Sequence, residues 1–245
     1  MKAGLQLYNF RKELKNDFKG TMREIGKMGF DGVEFAVDYG GMEPAEIAAF
    51  LKELKLECAG TMFRAEEIRD PGSKVYDYAR ALKSPGVTHS IMTDFVAGFD
   101  AIKADIAAAG KAAWQNGFVF AYHNHWREFE LIDGVPAMEK ILAETDPVCV
   151  RMEADICWIN RGGLNPPAFL RKYRSRINQL HVKDIIVPDD TATTTELGKG
   201  VVDVKGSVQA AREIGIEWLI YEQDNSADPF KSAAESLETL RALMA

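Results

Sequence analysis

The hexapeptide QLHVKD, residues 179–184, reads as a buried strand that ends in chemistry. Side chains alternate along a strand, so Leu180 and Val182 face one way and Gln179, His181 and Lys183 the other. An imidazole and an ammonium on an interior face are costly unless something engages them. Three further runs end the same way. MEADICW (152–158) sets Glu153 and Asp155 on one face, WLIYEQD (218–224) sets Glu222 and Asp224 on one face, and FVFAYHNH (118–125) sets His123 and His125 on one face. Four predicted strands thus deliver His, Asp and Glu at a common end, which is the donor set of a divalent-metal site.

Outward from these runs, short apolar stretches alternate with helical periodicity along the chain, the pattern of βα units on a parallel sheet. Eight units are expected, with strands at 3–8, 32–37, 56–60, 87–92, 117–123, 148–155, 177–182 and 217–222. The first helix carries Leu14, Phe18, Met22 and Ile25 on one stripe, and the second opens at Pro44 and turns Ile47, Phe50, Leu51 and Leu54 inward. Further helices are expected near 73–83, 97–115 and 135–144, after Asn165-Pro166, at 205–213 and after Asp228-Pro229. Eight such units close into a single (β/α)8 TIM barrel over residues 1–245, an α/β fold with its active site at the C-terminal ends of the strands. No GxGxxG follows the first strand, which counts against an open dinucleotide-binding sheet. Residues 184–203 lack a helical pattern and read either as a lid, with Gly198 and Gly200 letting the backbone approach a ligand, or as a surface loop.

Composition narrows the function classes. A length of 245 residues with 47% hydrophobic content suits one large core. The net charge of −7 argues against nucleic acid as a partner, which usually meets a basic face. Cys58, Cys149 and Cys157 lie far apart with no CxxC pair, so they are expected to pack as small hydrophobes in a reducing compartment. No apolar run approaches the roughly 20 residues of a membrane span. MKAGLQLYNF begins directly with a strand and shows no secretory leader, so a cytoplasmic location is expected. His89 is expected to be an ordinary core histidine.

GFDGVEF (29–35), YHNHWREFE (122–130), EADICWINRGG (153–163), QLHVKD (179–184), ELGKGVVD (196–203) and IYEQD (220–224) together resemble the sugar phosphate isomerase/epimerase superfamily. These are xylose isomerase-like barrels that also include endonuclease IV, and the resemblance covers nearly the whole chain. It implies one divalent metal ion (Mn, Mg, Co, Zn or Fe) held by a Glu, an Asp, a His and a Glu from strands five to eight. Asp155, His181 and Glu222 match the last three. The chain departs from the pattern at strand five, where His123, or failing it His125, stands in place of the Glu. Glu153 is then a further candidate, as a ligand or as a partner to a histidine. Endonuclease IV activity is disfavoured, because its three-metal cluster uses additional histidines and this chain has four in all.

Isomerising or epimerising a sugar, inosose or keto-sugar removes a proton next to a carbonyl, and the resulting enediolate needs its charge stabilised. Glu222 is the first candidate base, with His125, Glu128 or Glu153 on the other side of the substrate. Lys183 is expected to donate to a hydroxyl or an oxyanion, fixed in place by Asp184 or Asp224. Gln6, Tyr8 and Glu34 are expected to meet substrate hydroxyls, and Trp126 and Trp158 to stack on a sugar or exclude water. A metal-dependent lyase, hydratase or hydrolase acting on a 3-keto-glycoside or cyclitol needs the same groups. A sugar-binding barrel without catalysis is the reading from another class. The expected partner is a small sugar or cyclitol, with neither nucleic acid nor membrane, and a homo-oligomer is compatible with the sequence.

Overall fold

The β-branched and aromatic runs form strands and the 3.6-residue stripes form helices, in strict alternation. The computed structural model describes residues 1–36 and 38–245. The strands are β1 Lys2–Gln6, β2 Gly32–Ala36, β3 Glu57–Met62, β4 Val87–His89, β5 Phe120–His123, β6 Arg151–Asp155, β7 Ile177–Val182 and β8 Trp218–Tyr221. All pair in parallel, each with its sequence neighbours, and β8 returns to β1, closing the expected (β/α)8 barrel. The principal helices are α1 Phe18–Lys27, α2 Pro44–Leu54, α3 Val75–Leu82, α4 Phe95–Gln115, α5 Ala137–Glu144, α6 Pro166–Lys172, α7 Val204–Ile214 and α8 Pro229–Met244. Among the described residues no helix is long and apolar enough to cross a membrane.

Outward-facing strand residues such as Leu5, Phe35, Tyr122, Met152, Leu180 and Tyr221 build the main core against the helices. The barrel interior is layered differently. Trp218, Ile220 and Ala59 form a small apolar plug at one level. Gly4 and Gly32 make room for it, since a Cβ on Gly32 would lie 2.8 Å from the Trp218 ring. The next level is polar: Gln6, Glu34, Thr88, Glu153, Gln179 and His181 are all at most 1% exposed. Two β-bulges lie between the levels. Ala59 is the extra residue of β3 opposite β2, and Asn178 the extra residue of β7 opposite β6. The Gln179 amide donates across the barrel to the carbonyl of Ala59, so one bulge satisfies the other.

Several boundaries differ from the expected ones. Val37, the last residue of the predicted second strand, lies outside the described residues. β1 stops at Gln6, whose side chain accepts from Tyr8 N at 3.0 Å and starts a 3-10 turn, so Tyr8 is not on the strand. The MEADICW run is not all strand: Asp155 Oδ1 accepts from Trp158 N at 3.0 Å and caps a short helix, Ile156–Arg161. The predicted first helix is split at Asp17, which caps α1. A short helix, Ala65–Arg69, and a hairpin pairing 131–132 with 135–136 were not expected. Asp133 and Gly134 both have positive φ in that hairpin, a turn that Asp-Gly favours.

The 184–203 stretch is anchored instead of being a free lid. Asp184–Ile185 pairs with Thr194–Thr195. The buried Asp184 carboxylate accepts from the backbone N of Ile185, Gly198, Gly200 and Val202 at 2.9–3.1 Å. Gly200 is needed for this close approach, since a Cβ there would sit 2.2 Å from Asp184 Oδ1. Gly198 and Gly200 thus bring the backbone to Asp184, not to a ligand, and Asp184 does not hold Lys183. Asp184→Ala strands four amides, and we expect a loss of about 3 kcal/mol in urea unfolding. Amide exchange at Gly198, Gly200 and Val202 should accelerate with it, and unchanged exchange would contradict this anchoring role.

Candidate active site

The C-terminal ends of β5 to β8 place four side chains on one floor. His123 ends β5, Asp155 ends β6, His181 lies inside β7 and Glu222 follows β8. One donor atom from each can be chosen so that all lie within 4.8 Å of one another. His181 Nδ1 is 2.7 Å from Glu222 Oε2, and the rings of His123 and His181 meet at 4.5 Å between centroids. His123 and Glu222 of this floor line a cavity of about 520 Å³, open at the barrel mouth.

Beneath the floor lies a buried polar support. Glu153 Oε1 sits 3.2 Å from His123 Nδ1 and 3.1 Å from His181 Nε2, while Thr88 donates to its other oxygen at 3.3 Å. Glu34 Oε2 is 2.6 Å from His181 Nε2 and accepts from the Gln6 amide at 2.7 Å. Glu34 and Glu153 are fully buried. Glu34 thus backs a histidine and Glu153 contacts both imidazoles, and neither lines the cavity. Gly60 gives Glu34 its space, since a Cβ there would lie 1.9 Å from Glu34 Oε1. Asn124, between the two histidines of YHNH, accepts from Asp155 N at 2.9 Å and donates to Asp155 O at 3.3 Å, tying the end of β5 to β6. Alternation turns Asn124 away from the site residues on either side, which is why no sequence signal pointed to this role.

Lys183 is 1% exposed. Its ammonium lies 3.3 Å from Asp155 Oδ2, 3.1 Å from Glu222 Oε2 and 3.2 Å from Asp224 Oδ2. Burial opposes its charge, but the Asp224, Glu222 and Asp155 carboxylates outweigh it and hold the ammonium well above the usual lysine range. Burial raises Glu222, yet Lys183 and His181 dominate and keep it well below the usual carboxylate range. Burial likewise opposes a charged His181, while Glu153 and Glu34 hold its imidazole well above the usual histidine value. Burial, then the His181 charge, pushes His123 down. For Asp224, burial outweighs Lys183 and raises the carboxyl.

The cavity walls gather other expected residues. Gln6 and Tyr8 come from the β1 end, His125 and Trp126 from the β5 loop, and Trp158 and Asp224 also line it. Trp158 lies beneath Lys183, whose Nζ is 4.6 Å from the ring centroid. Trp126 is backed by the Arg161 guanidinium at 3.7 Å, a contact with no sequence signature. Glu128 does not reach the cavity. It is fully buried behind His125, 3.7 Å from Nδ1, and accepts from the Tyr122 hydroxyl at 2.8 Å. Arg11, stacked 4.3 Å over Tyr8, is a further wall residue that sequence reasoning missed. His89 is a buried residue whose Nδ1 lies 3.1 Å from Phe63 O.

The floor suits a cation. Two imidazoles and two carboxylates, donor types of a divalent-metal site, present atoms within 4.8 Å of one another. Asp155 Oδ2 is buried and makes no hydrogen bond, and beside it stands the Lys183 ammonium at 3.3 Å, so the oxygen keeps capacity for a further cationic partner. A second trio, Glu34, Glu153 and His181, is equally close, but none of its members lines the cavity, whereas His123 and Glu222 of the first group do.

Known proteins share this architecture. Inosose dehydratase from Mesomycoplasma hyopneumoniae (strain 7448) is 24% identical over an alignment covering 93% of this chain and 89% of that protein. A sugar phosphate isomerase/epimerase from Parabacteroides distasonis superposes with a TM-score of 0.82 at 20% identity, covering 98% of this chain and 94% of the other. The 3-keto-D-glucoside 4-epimerase of E. coli gives a TM-score of 0.73 at 17% identity, with 99% of each chain covered. The family described as xylose isomerase-like TIM barrel matches residues 22–243, and with the closed eight-stranded barrel this establishes that the chain belongs to that family.

Proposed function

We propose that this protein is a divalent-metal-dependent isomerase or epimerase of a sugar, inosose or keto-sugar. The convergence of His123, Asp155, His181 and Glu222, with His123 and Glu222 lining the cavity, carries the reading. These four side chains would hold the metal, which when bound supplies positive charge to stabilise an enediolate oxyanion. Glu222, kept ionised by the Lys183 ammonium, takes the proton from the carbon next to the carbonyl. Its Oε2 faces His181 and the Lys183 ammonium, which leaves Oε1 for the substrate. Lys183 donates to the oxygen where charge develops. On the β5 side His125, the only one of the expected second bases to border the cavity, returns a proton, with Glu128 behind it to hold the ring. Gln6, Tyr8 and Asp224 contact hydroxyls, while Trp126 and Trp158 wall off water.

A second reading has support of its own. The match to an inosose dehydratase over most of both chains favours elimination of water from a keto-cyclitol. The same base would act, with Lys183 or His125 protonating the departing hydroxyl. Keto-sugars and inososes incubated with the metal-supplemented protein in heavy water separate the two by NMR. Deuterium at the carbon next to the carbonyl with all hydroxyls retained supports isomerisation or epimerisation. Loss of a hydroxyl as water moves the assignment to the dehydratase. Binding without exchange or turnover across the panel would leave a sugar-binding barrel and overturn both.

A further inference from the structure

We propose that the centre selects a nitrogen-preferring dication of the zinc and iron(II) class over magnesium or manganese, and that Glu153 and Glu34 are the positioning residues that make it do so. The inference rests on the metal reading above and deepens it. Two of the four donor residues are imidazoles, His123 and His181. Imidazole suits zinc and iron, whereas carboxylate, carbonyl and water oxygens suit magnesium and manganese. Each ring has one nitrogen engaged from behind by a buried carboxylate: Glu153 on His123 Nδ1 at 3.2 Å, and Glu34 on His181 Nε2 at 2.6 Å. A carboxylate in that position fixes the tautomer, orients the ring and makes the opposite nitrogen a stronger donor. The two acidic donors are weakened in the opposite sense. Asp155 and Glu222 share the Lys183 ammonium at 3.3 and 3.1 Å, which lowers their attraction for a hard, oxygen-seeking cation. Imidazole at His123 and the carboxylate of Glu153 beneath it thus act as one unit.

Competition against a chromophoric chelator, on protein stripped of metal, measures Zn(II), Mn(II) and Mg(II) affinities without reference to turnover. We expect zinc to bind at least about a thousandfold more tightly than manganese. His123→Glu should narrow that ratio at least about tenfold, and the visible bands of the Co(II)-loaded protein should shift in the same variant. Glu153→Gln should weaken zinc binding by about 10- to 100-fold, with a smaller change for manganese. Circular dichroism checks that each variant folds. If His123→Glu does not fold, Glu153→Gln decides alone, and unchanged zinc affinity there overturns the inference. Wild-type protein that binds manganese as tightly as zinc, or a ratio that His123→Glu leaves unmoved, overturns the selectivity and leaves the metal reading standing. Failure to bind any of the three ions sinks the metal reading itself.

Discussion

Metal analysis by mass spectrometry should find about one dication per chain in the wild-type protein and less than about a tenth of that in His181→Ala, Asp155→Ala and Glu222→Ala. Each substitution removes one of four converging donors and leaves the others free to pair with one another. Without His181, the Glu34, Glu153 and Glu222 carboxylates lose the group that lies 2.6, 3.1 and 2.7 Å from them. Without Asp155, the helix after β6 also loses its cap, so folding of that variant needs a separate check. His123→Ala tests the departure of β5 from the family pattern: retention of metal there would hand the fourth position to another group. The pH dependence has a definite sign. Glu153 and Glu34 hold the His181 imidazole above its ordinary value, and a proton on the donor nitrogen has to leave before a cation binds. Metal content should therefore fall with decreasing pH, beginning above the pH at which an unperturbed histidine, near 6.5, would titrate. A flat profile between pH 5 and 8 would show that His181 is not a donor.

Lys183→Met should cost about 3–5 kcal/mol of unfolding free energy, the range seen when one partner of a buried ionic group is removed. Methionine conserves most of the volume over Trp158, so the loss is electrostatic more than steric. Asp155, Glu222 and Asp224 would then share a buried region with no lysine among them. A bound dication restores positive charge to two of these carboxylates, so added zinc should recover part of the lost stability in the variant and recover more than it adds to the wild type. Thermal unfolding with and without zinc measures both numbers. Turnover should fall by about 100-fold or more even when the variant is loaded, because the donor to the developing oxyanion is gone. A stable Lys183→Met protein with ordinary turnover would show that the ammonium is a bystander.

The architecture was legible in the sequence because strand and helix periods alternate cleanly, and because polar residues collect at one end of β5 to β8. Asp155, His181 and Glu222 could be picked out as a set for the same reason: each follows an apolar run whose parity places it inside the barrel. What sequence could not supply was depth. Glu34, Glu153 and Glu128 have the same residue type and similar settings to Glu222, yet they lie below or behind the surface of the cavity. Periodicity assigns a face but not a level along the barrel axis. The apolar run MEADICW outlasts the strand for a different reason. Ile156, Cys157 and Trp158 continue the apolar run of the strand, and only the cap formed by the Asp155 side chain turns them into a helix. Asp184 was misassigned because its four amide partners lie as far as 18 residues ahead, beyond any local signal.

The bulge at Asn178 makes the centre tolerant of a change in chain length that point substitutions do not reveal. Beyond it β7 runs in regular register with β6, Glu153 beside Gln179 and Asp155 beside His181, so those residues do not owe their direction to the additional position. Removal of the Asn178 codon, a three-base in-frame deletion, would leave a strand of ordinary composition that can still pair with β6. In that pairing Ile177 still meets Met152 and Gln179 still meets Glu153, so His181 and Lys183 keep to the barrel axis and Leu180 and Val182 to the helices. Loss of Val182 instead would set Lys183 directly after His181 and turn it toward the helices, so the effect of a one-codon deletion on the centre depends on which neighbour is lost.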